Sequence, residues 1–289
     1  MLEKTKRILV PIGFSEQSLR ALDQAIVVAK LIEADLVLIS VIESNTFLQR
    51  LLNKEHDEEM LKAEALKQLI ALIDARQDSG VHMEPMVSRG TVYEEVARAC
   101  DMLSPELVIM GTNGRPDNFN KKMVGSNAFR VVKHVQEPVI TMRTERGFTQ
   151  VKNIVFPVLL DRKSKEKVGE AMHWARVFGA AIRIVAVARD EDERLKLLPH
   201  VNQVHDFIVK HNVAVDANII DANGRSIPIA VVEYCEEIKA DLLIIMEDND
   251  ESLIRIMGGE VEDVLYNAEI PVMCVTPKPA KYAAGFQVF

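Results

Sequence analysis

The chain has 289 residues, 48% of them apolar, and a formal charge of −8. That length holds two domains of ordinary size, and the acidic balance argues against a general nucleic-acid binder. No C-x-x-C pair links the three distant cysteines, no run approaches the roughly 20 apolar residues of a membrane span, and the start MLEKTKRILVPIG lacks a signal-peptide core. The expectation is a soluble cytoplasmic protein with no disulfide framework, no metal centre, no nucleic-acid partner and no membrane partner.

Aromatics are only 5%, and the apolar content is mostly Val, Ile, Leu, Ala and Met, a mix suited to buried parallel strands covered by helices. The periodicity predicts a strand over Ile8–Pro11, then a helix capped by Ser15 with Leu19, Leu22, Ile26 and Ala29 on one face. A strand over Leu36–Val41, a charged helix over Glu58–Ser79, a strand over Val81–Val87 and a helix over Thr91–Met102 follow. Then come a strand over Leu107–Met110, a helix over Ser126–Val135 and a strand over Val139–Met142.

The same alternation then repeats. Strands are predicted over Ile154–Pro157, Ile182–Val187, Ala214–Ile220, Leu242–Met246 and Val272–Val275. Helices are predicted over Ser164–Phe178, Arg194–His211, Ile227–Ile238 and Val261–Tyr266. Arg7–Pro11 is similar to Asn153–Pro157, and Ala34–Val41 to Ala180–Val187, both at an offset of 146 residues. Cys100 and Cys235 match at 135, and Pro138–Ile140 and Pro271–Met273 at 133, so the second copy has lost residues in between. Such alternation means parallel strands joined by right-handed crossovers. The fold class expected is α/β, two tandem open five-stranded parallel sheets with helices on both faces. The domains expected are 1–145 and 151–277, with an apolar-ended tail over 278–289.

In such sheets a ligand sits at the carboxyl ends of the strands, at the switch point. There the first copy places Met110-Gly111, then Gly114, and Gly125-Ser126-Asn127 opening a helix. Glycines let backbone N–H groups approach an anion, and a helix N-terminus favours negative charge. Between Gly111 and His134 stand Arg115, Lys121, Lys122, Arg130 and Lys133 against one acid, Asp117. The competing reading is a solvated basic surface loop.

These residues carry a resemblance. The Val10-Pro11 start with Phe14-Ser15, the strand end Val108–Gly111 and the closing Glu137-Pro138-Val139 resemble a tandem universal stress protein, over roughly 4–143 and 151–276. The resemblance implies a Rossmann-like fold of the adenine nucleotide α-hydrolase type, with the two copies packed as a pseudo-dimer, and a further homodimer. It also implies ATP or a related adenine nucleotide as cofactor, with magnesium accompanying it. Gly111, Gly114, Gly125, Ser126 and Asn127 would hold phosphates and ribose, beside Met110, and Val41 the adenine side. Gly13 stands where the family carries Asp, and the loop is one residue longer than the family's spacing.

In the second copy no G-x-x-G remains. Leu159 takes the Asp position, Glu260 the hydroxyl position, and seven acids between Met246 and Val264 face only Arg255. That copy is expected not to bind ATP, because like charges repel at the phosphate position. No nucleophile elbow, P-loop, paired-His helix or kinase signature occurs, so no enzyme is expected beyond slow ATP hydrolysis, for which Asp117 is the one local carboxylate. Cys100 reads as a small buried hydrophobe, Trp174 as a packing residue, and the histidines as structural or exposed. Phe47, Leu48, Leu51 and Leu52, like the tail Phe286–Phe289, offer apolar contact to the chain itself or to protein partners of unknown identity. The alternative function is a nucleotide-free scaffold or interaction module of the same fold.

Overall fold

The computed structural model describes residues 5–43, 55–112, 127–143, 150–159, 164–246, 264–265 and 267–276, without the side chains of 55–58 and 164–167. The chain divides into two compact units, Met1–Thr149 and Gln150–Phe289.

The first unit runs β1 (Lys6–Pro11), α1 (Glu16–Ile32), β2 (Ala34–Ile42), α2 (Glu55–Asp74), β3 (Met83–Arg89), α3 (Val92–Leu103), β4 (Leu107–Gly111), α4 (Asn127–His134) and β5 (Val139–Met142). Its strands lie in the order β3-β2-β1-β4-β5, with every described pairing parallel. The chain steps outward from β1 to β3, then crosses back to β4, so α1 and α2 cover one face and α3 and α4 the other. Ile8, Leu9, Leu36, Leu38, Leu107, Ile109 and Ile140 form the fully buried centre. This continuous apolar character follows from burial on both faces.

The second unit runs β6 (Asn153–Pro157), α5 (Ser164–Phe178), β7 (Ala181–Ala188), α6 (Glu191–Lys210), β8 (Val215–Asp221), α7 (Ile227–Glu237), β9 (Leu242–Met246) and β10 (Val272–Val275). Its order, β8-β7-β6-β9-β10, repeats that of the first. The Asp241 carboxylate accepts the N–H groups of Lys152 and Asn153, both at 2.8 Å, and so ties the start of β6 to the start of β9.

Several boundaries differ from expectation for local reasons. The helix predicted to reach Ser79 stops at Asp74, and Gln77–Ser79 forms a 3-10 turn closed by Gly80 at φ 71°. The Val81 amide donates to Ser79 Oγ at 3.3 Å, which delays β3 to Met83. Helix α6 starts at Glu191 rather than Arg194, because the Asp190 side chain accepts the Glu193 N–H at 2.8 Å. The helix then runs on through Pro199. Cys100 is buried, and its burial, with Glu137 beside it, pushes the thiol far up from its ordinary value. Trp174 packs against Phe178, with ring centroids 5.8 Å apart. The predicted contact segments Phe47–Leu52 and Phe286–Phe289 lie outside the described residues.

Candidate functional site

The carboxyl edge of the first sheet gathers residues from four strands. β1 ends at Pro11, and the Ile12 N–H continues the ladder by donating to Ile39 O at 2.8 Å. Gly13 follows, exposed, with nothing within 4 Å of where a Cβ would stand. Phe14 then takes a left-handed turn, φ 57°, which strains a bulky residue and reverses the chain into α1. Ser15 caps that helix: its Oγ accepts the Ser18 N–H at 3.3 Å, and Ser18 Oγ donates back to Ser15 O at 2.8 Å.

Val41, half-buried, lies next to last in β2 and pairs with Ser88 of β3. Beyond β3 the Gly90 N–H donates to Ile42 O at 3.1 Å. Gly90 has φ 153°, and a Cβ there would stand 2.7 Å from Glu95 Oε1. Glu95, 6% exposed, is the one buried carboxylate among the described residues; Ser88 Oγ donates to it and Arg98 pairs with it. Its place in the first turns of α3 also suits a negative charge.

Met110 is buried in β4 and pairs with Thr141; Gly111 ends the strand opposite Met142. Gly111 is where the fold tolerates no side chain. A Cβ would lie 2.5 Å from Gln17 C and O and 2.8 Å from Ser18 N, inside the first turn of α1. The glycine thus lets the helix start press onto the end of β4. Thr112 is buried, and its N–H donates to Met142 O at 2.8 Å. Its Oγ1 finds no hydrogen-bond partner among the described residues. Asn127, exposed, opens α4.

Of the residues expected at the site, Gly13, Val41, Met110 and Gly111 stand together at one sheet edge, between β1 and its two neighbours. Asn127 begins the helix that returns to β5. Gly114, Gly125 and Ser126 lie outside the described residues. Reading the chain alone missed Thr112 and Glu95. Thr112 occupies the first variable position of the G-x-x-G, and Glu95 reads like an ordinary helix-start acid until Gly90 and Ser88 are folded against it.

The second unit differs at the same edge. Met246 ends β9 opposite Val275, as Gly111 ends β4 opposite Met142. A thioether side chain thus occupies the position that must be bare in the first unit. The 135-residue offset carried this signal, since it aligns Met246 with Gly111. The acidic stretch from Glu247 to Asp263 lies outside the described residues. Among the described residues no group of three or more His, Cys, Asp or Glu gathers to hold a metal, and no helix is long and apolar enough to cross a membrane.

Three comparisons bear on this arrangement. Residues 4–143 match the Universal stress protein family model. The same half is similar to the universal stress protein MJ0531 of Methanocaldococcus jannaschii, 28% identical over 140 residues, which is 48% of this chain and 82% of that one. In fold, 94% of the chain superposes on 96% of a universal stress protein from Archaeoglobus fulgidus, with a TM-score of 0.76 at 18% identity. It likewise covers 94% of a universal stress protein described as putative from Pseudomonas aeruginosa, with a TM-score of 0.66 at 15% identity. Over residues 4–143 the chain is thus similar to the Universal stress protein family.

Proposed function

We propose that the first unit is a non-catalytic regulatory module of the stress response that binds ATP or a related adenine nucleotide, while the second unit binds none. The observation that carries this reading is Gly111, where α1's first turn lies too close to the strand for any side chain. It stands at the switch point between β1 and β4, where open α/β sheets take ligands. The bare edge at Gly13 leaves room there, and the half-buried end of β2 at Val41 offers backbone groups to a base. Met246 and the acidic sequence after it support a silent second unit. Magnesium enters with the phosphates in this reading, and a homodimer in the cytoplasm completes it.

Equilibrium dialysis of the full chain against ATP and Mg2+ tests the proposal. Saturable binding is expected, lost in Gly114→Asp, which sets a carboxylate in the glycine loop; a chain that retains no nucleotide overturns it. A second reading, a nucleotide-free interaction module, is favoured by the apolar exposure of α2, where Met60, Leu61, Leu66 and Ile70 all face solvent among the described residues. Absence of binding together with self-association lost on Met60→Glu and Leu61→Glu would favour that reading.

A further inference from the structure

β3 and β8 are outer strands of their units, and each pairs on one side alone among the described residues. Such an edge offers its outward N–H and C=O groups to any strand that meets it, including that of a second copy of the chain. The ladder bonds say which residues face outward. In β3 the His82 carbonyl accepts the Leu36 N–H, and the Gly90 N–H donates to Ile42 O. Even-numbered residues of β3 therefore face β2, and odd-numbered ones face outward. Pro85 is among the outward ones. It lacks an N–H where no ladder bond needs one, and so blunts the edge.

The second unit has no such proline. In β8 the Ala214 carbonyl accepts the Ile182 N–H, and the Ala222 N–H donates to Ala188 O. Val215, Ala217, Ile219 and Asp221 therefore face outward. Ala217 pairs with Ile184 as Pro85 pairs with Leu38, and Ile184 and Leu38 stand 146 residues apart, the offset of the repeat. Alanine thus holds the proline's place, and the strand VDANIID contains neither proline nor lysine.

Two arginines stand there instead. Arg194, from α6, donates through Nη1 to Ile219 O at 3.0 Å and through Nη2 to Asp221 Oδ1 at 2.7 Å. Arg225, which follows β8, donates through Nη2 to Asp221 O at 3.2 Å and through Nε to Ala222 O at 2.9 Å, and pairs with Glu233. Both outward carbonyls in the second half of the strand are occupied. The two arginine side chains are only 31% and 36% exposed, and carboxylates hold both. The other outward positions, Val215 and Ala217, make a stretch shorter than a usual strand.

We propose that Arg194 and Arg225 form a clasp that closes the β8 edge to pairing with a second copy of this chain. The inference stands apart from the nucleotide reading. Sedimentation equilibrium of the full-length chain tests it. Arg194→Ala Arg225→Ala is expected to self-associate, its weight-average mass rising with concentration to about twice the wild-type value or more. Each single variant should show a smaller rise, and the single variants carry the test if the double variant does not fold. Adding Ala217→Pro, which places the first unit's proline at the equivalent position, is expected to restore the wild-type mass. Hydrogen exchange over Val215–Asp221 is expected to slow in the associated form. Wild-type mass in every arginine variant overturns the proposal. So does association that Ala217→Pro leaves intact, or that leaves exchange over Val215–Asp221 unslowed, since another surface would then be responsible.

Discussion

Gly111→Ala is the sharpest perturbation of the first unit. One methyl group is added where the nearest atoms are backbone, Gln17 C and O at 2.5 Å and Ser18 N at 2.8 Å. Ordinary contact begins near 3.4 Å, so the first turn of α1 must retreat by about 1 Å. That helix is not free to do so. Ser18, Ala21, Leu22, Ala25, Ile26, Val28, Ala29 and Ile32 are all buried, and Ser15 fixes its start. Overpacking of this kind costs about 1–3 kcal/mol, which lowers the melting temperature of a unit this size by roughly 3–10 °C. Calorimetric melting and urea titration of the full chain measure it. Gly111 does not adopt a left-handed φ, so the cost is one of space rather than backbone freedom. A Gly111→Ala protein within about 0.5 kcal/mol of wild type would refute the reasoning, because it would mean that α1 does not press on β4.

Glu95→Ala should cost about 1 kcal/mol in urea unfolding, since it takes the acceptor from the half-buried Ser88 hydroxyl, whereas the exposed Arg98→Ala should cost less than that. Asp190→Ala removes the cap of α6 and should lower stability by about 1 kcal/mol, with Asp190→Asn recovering most of it. Cys100 and Cys235, whose thiols burial pushes far up, should resist alkylation in the native chain at pH 8 and react only on unfolding. Their folded pKa values lie above the unfolded value. The stability they contribute is therefore complete below about pH 8.5 and is lost as pH rises beyond it, by up to about 1.4 kcal/mol per pH unit for each thiol. The slope of stability against pH above 9 should shrink in Cys100→Ala Cys235→Ala; an unchanged slope contradicts the assignment.

The alternation of apolar runs with helical periodicity located every described strand: the central buried strands leave an uninterrupted apolar signature, while the edge strands β3 and β8 are mixed in character and half-exposed. Helix starts were less visible. Asp190 looked like one acid among several until its side chain was seen to accept the Glu193 N–H, which pulls α6 three residues earlier than Arg194. The turn at Ser79–Val81 was hidden in the same way, since a hydroxyl that captures an amide leaves no periodic trace. At the site, the glycine pattern pointed to the right sheet edge, but the reason for Gly111 is a contact with Gln17, nearly a hundred residues away in the chain. Thr112 was passed over because nothing in a sequence says that a hydroxyl will be buried without a partner. The replacement of Gly111 by Met246 was within reach, since it follows from the repeat offset alone.

The most direct test of the account is a calorimetric titration of ATP·Mg2+ into the full-length chain and into Gly114→Asp. The account predicts saturable binding with one equivalent per chain in wild type and none in the variant, because β4 of the first unit ends in Gly111 where β9 of the second ends in Met246. No binding in wild type, or two equivalents per chain, would contradict it.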